Sequence, residues 1–152
     1  AEVQYREVSL DKLVRAYVED MLPELAERDI RWRIDPLPTV RGDPVLLRQV
    51  VQNLVENAVK YTSKRSVAEI AIAAVDTRDG RGFFVRDNGA GFDMAHARNL
   101  FGVCHRLHSD SEFPGTGIGL ANVRRIVERH YGHIWFDAAV NAGATFYVSF
   151  PR

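Results

Sequence analysis

The sequence predicts an α+β fold in which helices cover one face of a β-sheet. Three observations predict this class: helical periodicity in separate stretches, short runs of alternating apolar residues, and the pairing of those runs as hairpins. The 152 residues fit one domain, and their 46% hydrophobic and 26% charged content is typical of globular proteins. We find no internal repeat, domain linker or low-complexity run.

The first part of the chain predicts a helix followed by a strand. Ser9 is a suitable N-cap, and Pro23 should kink or split the helix. The alternation from Ile30 to Ile34 predicts a half-buried strand that ends at residues 35–38. The apolar positions of the helix follow the i, i+3, i+4, i+7 rule and are Leu10, Leu13, Val14, Tyr17, Val18, Met21, Leu22 and Leu25.

The stretch from Asp43 to Tyr61 predicts the central helix of the domain. Asp43 is a good N-cap and Pro44 a good first helical residue. Amide, carboxylate and ammonium groups on one side can ligate a hard cation and neutralise phosphate, although an ordinary solvated helix face is the alternative. The apolar face is Leu47, Val50, Val51, Leu54 and Ala58; the opposite face is Gln49, Asn53, Glu56 and Lys60, with Asn57 at the border.

The second half predicts a hairpin, a long loop, a helix and two closing strands. Strands are expected at residues 67–75 and 82–87, joined by a turn-rich link at residues 77–82. Residues 88–116 have no sustained period and many glycines, which is typical of a functional or disordered loop. Helical spacing returns at residues 117–131, and strands are expected at residues 134–136 and 145–150.

Composition limits the functional class. The formal net charge is zero, so nothing indicates a nucleic-acid surface or binding to anionic membrane. No apolar run approaches the roughly 18 residues of a membrane span, and Cys104 is the only cysteine. We therefore expect a reduced, soluble, cytoplasmic domain without membrane insertion. Because the chain begins at Ala1 without a methionine, we expect it to be a fragment of a longer protein.

Two glycine-rich segments indicate a ligand site. The alternation that buries Phe83 and Val85 also places Asp87 on the core face, where a carboxylate needs a donor partner. Asn88 to Gly91 follows directly; a plain turn is the alternative interpretation. Residues 115–119 lead directly into a helix and present N–H groups suited to phosphate. Neither the Walker pattern nor the Rossmann spacing fits this segment.

Several ordered motifs resemble those of sensor histidine kinases. Residues 56–61 (ENAVKY) are similar to the N box of that family, residues 87–92 (DNGAGF) to its G1 box, and residues 115–120 (GTGIGL) to its G2 box. Phe101 stands at the F-box position, and residues 143–146 (GATF) resemble the final G-box. Residues 106–108 (RLH), 113–120 and 127–130 (VERH) resemble the phytochrome-type subset in particular.

The resemblance implies an ATP-binding catalytic domain of the Bergerat (GHKL) fold, with a mixed sheet covered on one face by three main helices. It implies that Asp87 receives the adenine amino group, that Asn57 ligates Mg2+ beside Asn53, and that a lid spans about residues 92–114. Catalytic roles are expected for Asn53, Glu56 and Asn57. The ATP-binding residues it implies are Asn53, Asn57, Lys60, Tyr61, Asp87, Gly89, Gly91, Phe92, Arg106, Gly115, Thr116, Gly117, Ile118, Gly119, Leu120 and Thr145.

The implied activity is transfer of the ATP γ-phosphoryl group to a histidine on a separate dimerisation domain, with a response regulator receiver domain downstream. No histidine-bearing helix precedes residue 9, so we expect the dimerisation and sensor domains to lie outside this chain. Asn141 replaces a glycine that is frequent in the family's final turn. Two alternatives remain open: a GHKL-type ATPase, and a nucleotide-binding regulatory module without transfer activity.

Individual side chains also have ordinary interpretations. Glu56 is either a solvated helix residue or a group that polarises the incoming nucleophile, and we favour the second. The spacing of His130 and His133 suggests a metal pair, but no third ligand is near in sequence, so we expect a structural role. His96, His105 and His108 fall in the expected lid, where contact with phosphate is more plausible for Arg106.

Overall fold

The computed structural model describes residues 4–91 and 118–152. The expected lid and most of the second glycine-rich segment lie outside the described residues. The elements run in the order β1 (Arg6–Ser9), α1 (Leu10–Met21), a 3₁₀ turn (Leu22–Leu25), β2 (Ile30–Ile34), β3 (Thr39–Gly42), α2 (Pro44–Tyr61), β4 (Ala68–Thr77), β5 (Gly80–Asp87), α3 (Ile118–Arg129), β6 (His133–Ala138) and β7 (Ala144–Pro151).

The main sheet is mixed and has the strand order β2-β4-β5-β7-β6. β2 pairs parallel with β4, and the other neighbours pair antiparallel. Ile70, Asp87 and Ala144 are in register across β4, β5 and β7. Because residues in register point to the same face, Asp87 lies on the face that also buries Ile72, Val85 and Phe146. The predicted α+β class, with helices on one face of a mixed sheet, is confirmed.

The central helix α2 forms as predicted. The Asp43 carboxylate accepts hydrogen bonds from the N–H groups of Val45 and Leu46 at 2.9 and 3.3 Å, which satisfies donors that have no partner in the helix. The N–H of Gln4 also donates to this carboxylate, and these backbone donors lower the pKa of Asp43. The five predicted core positions of α2 are buried, as is Val55.

α1 and its interruption also follow the sequence. Ser9 Oγ accepts a hydrogen bond from Lys12 N, so Ser9 is the N-cap. The α-helix ends at Met21, and the segment that contains Pro23 continues as the 3₁₀ turn, which confirms the predicted split.

His130 connects the end of α3 to the beginning of α2. Its side chain is 1% exposed; Nε2 accepts from Asp43 N at 3.0 Å, and Nδ1 lies 2.8 Å from Ile126 O. The first contact requires an unprotonated Nε2 and the second a proton on Nδ1, so the ring is the neutral Nδ1–H tautomer. The structural role predicted for His130 is confirmed, and His133 is exposed.

The observed elements differ from the prediction in two additional strands and in several boundaries. β1 and β3 were not predicted, because each has four residues and their apolar pattern is too short to stand out. The predicted link at residues 77–82 is shorter, because β4 and β5 extend to Thr77 and Gly80. α3 ends at Arg129, since Tyr131 is left-handed (φ 59°) and Gly132 N bonds back to Val127 O at 2.9 Å.

Among the described residues, none of the helices has the combination of length and apolar character that crossing a bilayer requires.

Candidate functional site

The polar side of α2 meets the first turn of α3. The nearest atom to a Cβ placed on Gly119 would be Asn53 Oδ1, at 3.5 Å. One helical turn earlier, Gln49 Oε1 accepts a hydrogen bond from Asn122 Nδ2 at 3.2 Å. The structure therefore places the predicted amide side of α2 against the helix that follows the second glycine-rich segment. The start of α3 therefore lies beside Asn53, and the backbone N–H groups at the start of a helix are suited to an anion.

Asn57 carries an unsatisfied polar atom. Its Nδ2 is buried and has no hydrogen-bond partner among the described residues. A buried amide group without a partner costs roughly 1–3 kcal/mol, so this side chain is suited to a bound polar ligand. The amide of Asn57 can offer its oxygen to a cation and its nitrogen to a phosphate oxygen.

Glu56 points toward α1. Its Oε1 accepts a hydrogen bond from Tyr17 Oη at 3.2 Å, whereas Asn53, on the same helix, faces α3. Burial raises the pKa of Tyr17, and the nearby Glu56 charge adds to the effect, so Tyr17 stays a neutral donor. Glu56 is exposed, and this hydrogen bond directs its carboxylate toward Tyr17.

Lys60 and Tyr61 form the last turn of α2. Lys60 Nζ lies 5.6 Å from the centre of the Tyr61 ring. The Tyr61 carbonyl accepts a hydrogen bond from Ala90 N at 3.1 Å. The end of α2 is thus joined to the turn that follows Asp87.

Asp87 is the buried carboxylate of the site. Its side chain is 6% exposed, and Oδ1 accepts a hydrogen bond from Gly89 N at 2.8 Å. Burial raises the pKa of Asp87 to about 6 from an ordinary value of 3.8, although backbone N–H donors from Gly89 and Ala144 oppose this shift. A carboxylate held in this way retains free acceptor capacity for a ligand that donates hydrogen bonds.

The glycines near Asp87 are required by the protein's own backbone. A Cβ at Gly89 would overlap the Tyr61 carbonyl oxygen, and one at Gly91 would overlap the Ala139 carbonyl oxygen. Gly91 and Gly143 have φ values of 63° and 83°, which side chains rarely tolerate. These glycines therefore allow the two turns to pack together beside Asp87.

Thr145 lies on the opposite face of the sheet from Asp87. It pairs with Arg86 in the β5–β7 register, and Arg86 Nε donates to its hydroxyl at 3.2 Å. Adjacent strand residues point to opposite faces, so Ala144 is the residue of β7 beside Asp87. The structure does not bring the Thr145 side chain to the predicted site.

The remaining predicted residues divide into two groups. Leu120 is buried in the core near the start of α3. Phe92, Arg106, Gly115, Thr116 and Gly117 lie outside the described residues, as does the side chain of Ile118.

Sequence reasoning missed Arg65 and the side chain of Asn88. Arg65 donates to three backbone carbonyls around the turn after Asp87. The Asn88 amide bonds to Glu69 N and Val67 O at 2.9 and 3.2 Å, which ties that turn to β4. An arginine in a polar loop carries no sequence pattern of its own, because its partners are backbone atoms distant in the chain.

The α+β fold thus places a buried carboxylate and the amide side of α2 in one candidate ligand site. The sequence model of the family described as "Histidine kinase-, DNA gyrase B-, and HSP90-like ATPase" matches residues 42–152. The chain belongs to this family. The matched residues include α2, Asp87 and α3.

The curated relatives of the chain include phytochromes and sensory kinases. Cyanobacterial phytochrome A of Nostoc sp. is 36% identical over 98% of this chain and 19% of its own length. The adaptive-response sensory kinase SasA of Synechococcus sp. is 34% identical over 95% of this chain and 39% of its own length. The chain therefore spans less than half the length of these relatives. The predicted resemblance to phytochrome-type histidine kinases is confirmed.

Solved structures share the fold. Full-length ShkA in complex with AMPPNP matches with a TM-score of 0.79 and 30% identity, over 99% of this chain and 32% of that chain. The mycobacterial sensor histidine kinase MprB matches with a TM-score of 0.80, over 97% of both chains. At 22% identity, the second likeness shows the fold alone.

Proposed function

We propose that this chain binds Mg-ATP and transfers the γ-phosphoryl group to a histidine on a separate dimerisation domain. Asp87 carries the proposal, because it is a buried carboxylate that retains acceptor capacity at the end of a sheet strand. The adenine amino group supplies the donor that this carboxylate requires. Membership of the ATPase family and the likeness to an AMPPNP-bound kinase support this assignment.

The phosphates then lie between the polar side of α2 and the first turn of α3. Asn57 offers an amide whose Nδ2 has no hydrogen-bond partner in the described part of the chain, which fits a magnesium–phosphate group, and Asn53 faces Gly119 at the start of α3. Magnesium, when bound, supplies positive charge that neutralises the phosphate oxygens. The residues of this chain orient the nucleotide. Asp87 binds the adenine, and Asn53 and Asn57 lie near the phosphates. Lys60 supplies a cation in the last turn of α2.

The residue four positions before Asn57 supports a kinase over an ATPase. The resemblance implies that the water-activating glutamate of the related ATPases stands four residues before the magnesium-binding asparagine, which is Asn53 here. An amide cannot accept the proton of water, and general-base activation contributes about 10²–10⁴-fold in rate. The phosphoacceptor histidine would supply the nucleophile, and Glu56 is the carboxylate we propose to polarise it.

The protein containing this chain is proposed to be cytoplasmic, to act downstream of a phytochrome-like light sensor and to pass the phosphoryl group to a response regulator. The similarity to a phytochrome over nearly the whole chain supports the proposed light sensor.

The deciding measurement is ADP release and phosphohistidine formation at saturating Mg-ATP. We expect very slow ADP release by the chain alone, and phosphohistidine formation when the dimerisation domain is added. A dimerisation domain without its histidine is the control. Rapid turnover by the chain alone would favour an ATPase, whereas nucleotide binding without transfer in either mixture would indicate a regulatory module.

A further inference from the structure

Arg65 lies in the loop between α2 and β4 and contacts three backbone carbonyls. Its Nε donates to Asn88 O at 2.9 Å, and a terminal nitrogen donates to Gly89 O at 3.1 Å and to Asn141 O at 3.0 Å. The first two carbonyls belong to the turn after Asp87, and the third belongs to the turn between β6 and β7. One guanidinium thus joins two turns that are distant in sequence.

Both turns have backbone conformations that need support. Gly91 (φ 63°) and Gly143 (φ 83°) are left-handed, and so is Asn141 (φ 61°). Glycine-containing turns have many accessible conformations, so contacts outside the turn must select one of them. Asn141 N also donates to Ala90 O at 2.6 Å, which places Arg65 at the junction where the two turns meet.

The position of Asp87 depends on this junction. Gly89 donates its N–H to Asp87 Oδ1, while its carbonyl accepts from Arg65. We propose that Arg65 is a positioning residue of the nucleotide site, which fixes the turn after Asp87 so that the carboxylate faces the adenine. This inference rests on the proposed function. Arg65 acts through Asp87 and does not touch the nucleotide.

The guanidinium shape matters for this role. Arginine presents its donors in a rigid planar fork, whereas lysine offers one compact ammonium on a flexible stem. A lysine at residue 65 can reach one carbonyl but cannot span both turns in the same geometry. We therefore expect partial rescue by Arg65→Lys.

The test compares the affinities of Arg65→Gln and Arg65→Lys for AMPPNP in the presence of Mg2+, by calorimetric titration. We expect Arg65→Gln to weaken binding about five- to thirtyfold and Arg65→Lys to weaken it less. Arg81→Gln is the matched control, since Arg81 is exposed on β5 and its side chain forms no hydrogen bond or ion pair among the described residues. Thermal unfolding of each variant checks that it is folded.

A double-variant comparison separates positioning from general stability. If Arg65 acts through Asp87, then Arg65→Gln combined with Asp87→Asn binds no more weakly than Asp87→Asn alone. Losses that multiply would overturn the inference, because they place the effect of Arg65 elsewhere. Unchanged affinity in Arg65→Gln, with normal binding by the wild-type chain, would overturn this inference alone. Absence of binding by the wild-type chain would overturn the proposed function together with it.

Discussion

Replacement of Asp87 by asparagine tests whether the ionised Asp87 carboxylate destabilises the nucleotide-free fold. Burial raises the pKa of Asp87 from 3.8 to about 6, so the folded chain holds this proton more tightly than the unfolded chain does. The contribution of protonated Asp87 to the free energy of unfolding is fully present below pH 3.8 and is lost as the pH rises through about 6. At neutral pH the ionised carboxylate therefore destabilises the nucleotide-free fold.

The magnitude follows from the shift. About two pKa units at 1.36 kcal/mol each give roughly 3 kcal/mol between fully protonated and fully ionised Asp87. Between about pH 7.5 and pH 4.5, roughly 2 kcal/mol of this is recovered, because the unfolded carboxyl is still largely ionised at the lower pH. Asparagine does not titrate, so whatever its amide costs in packing is the same at both pH values.

The assay is urea unfolding of the wild-type chain and Asp87→Asn at these two pH values. We expect the free energy of unfolding of the variant, relative to wild type, to fall by about 2 kcal/mol on acidification. Asp137→Asn is the control, since Asp137 is an exposed carboxylate on β6. A difference between variant and wild type that does not change with pH, or that changes in the opposite direction, would refute the reasoning.

Three further predictions concern the site and its support. Asp87→Ala should weaken ATP-analogue binding about ten- to hundredfold in calorimetry, and GTP should bind poorly to the wild-type chain, because guanine presents a carbonyl in place of the amino group. Asn57→Ala should reduce the gain in ATP affinity that Mg2+ provides, which titrations with and without Mg2+ measure; an unchanged gain would place the metal elsewhere. His130→Ala should lower the free energy of unfolding by about 2–4 kcal/mol, since it leaves Asp43 N–H unpaired and a cavity in the core, while His133→Ala should have little effect.

Long periodic elements were predictable from the sequence, and the short ones were not. α2 forms over the predicted residues because its N-cap, first-turn proline and apolar face all indicate the same helix. β1 has one buried residue, Val8, and exists because it pairs with β3. Such a strand is defined by its partner, so local pattern does not reveal it.

The site was predictable where a residue's environment follows from strand alternation. The burial of Asp87 follows from the period of two that also buries Phe83 and Val85. The same rule places Thr145 on the other face, but only the observed β5–β7 register shows this, because one residue of register decides which of Ala144 and Thr145 faces Asp87. Arg65 was missed for a different reason: all its hydrogen-bond partners are main-chain carbonyls.

His130 joins the C-terminal end of α3 to the N-terminal end of α2 through one buried hydrogen bond. His130 Nδ1 bonds to Ile126 O on α3 itself, and Nε2 accepts from Asp43 N at the start of α2, so a rotation of α3 about its C-terminal end would keep the bond between the two helices. α3 has 12 residues and so acts as a lever arm about 18 Å long. With the C-terminal end of α3 fixed, a rotation of about 10° would move Gly119 about 3 Å away from its present position beside Asn53. This displacement is comparable to the width of one water molecule. Such a rotation would be amplified at the end of α3 where the phosphates are proposed to bind.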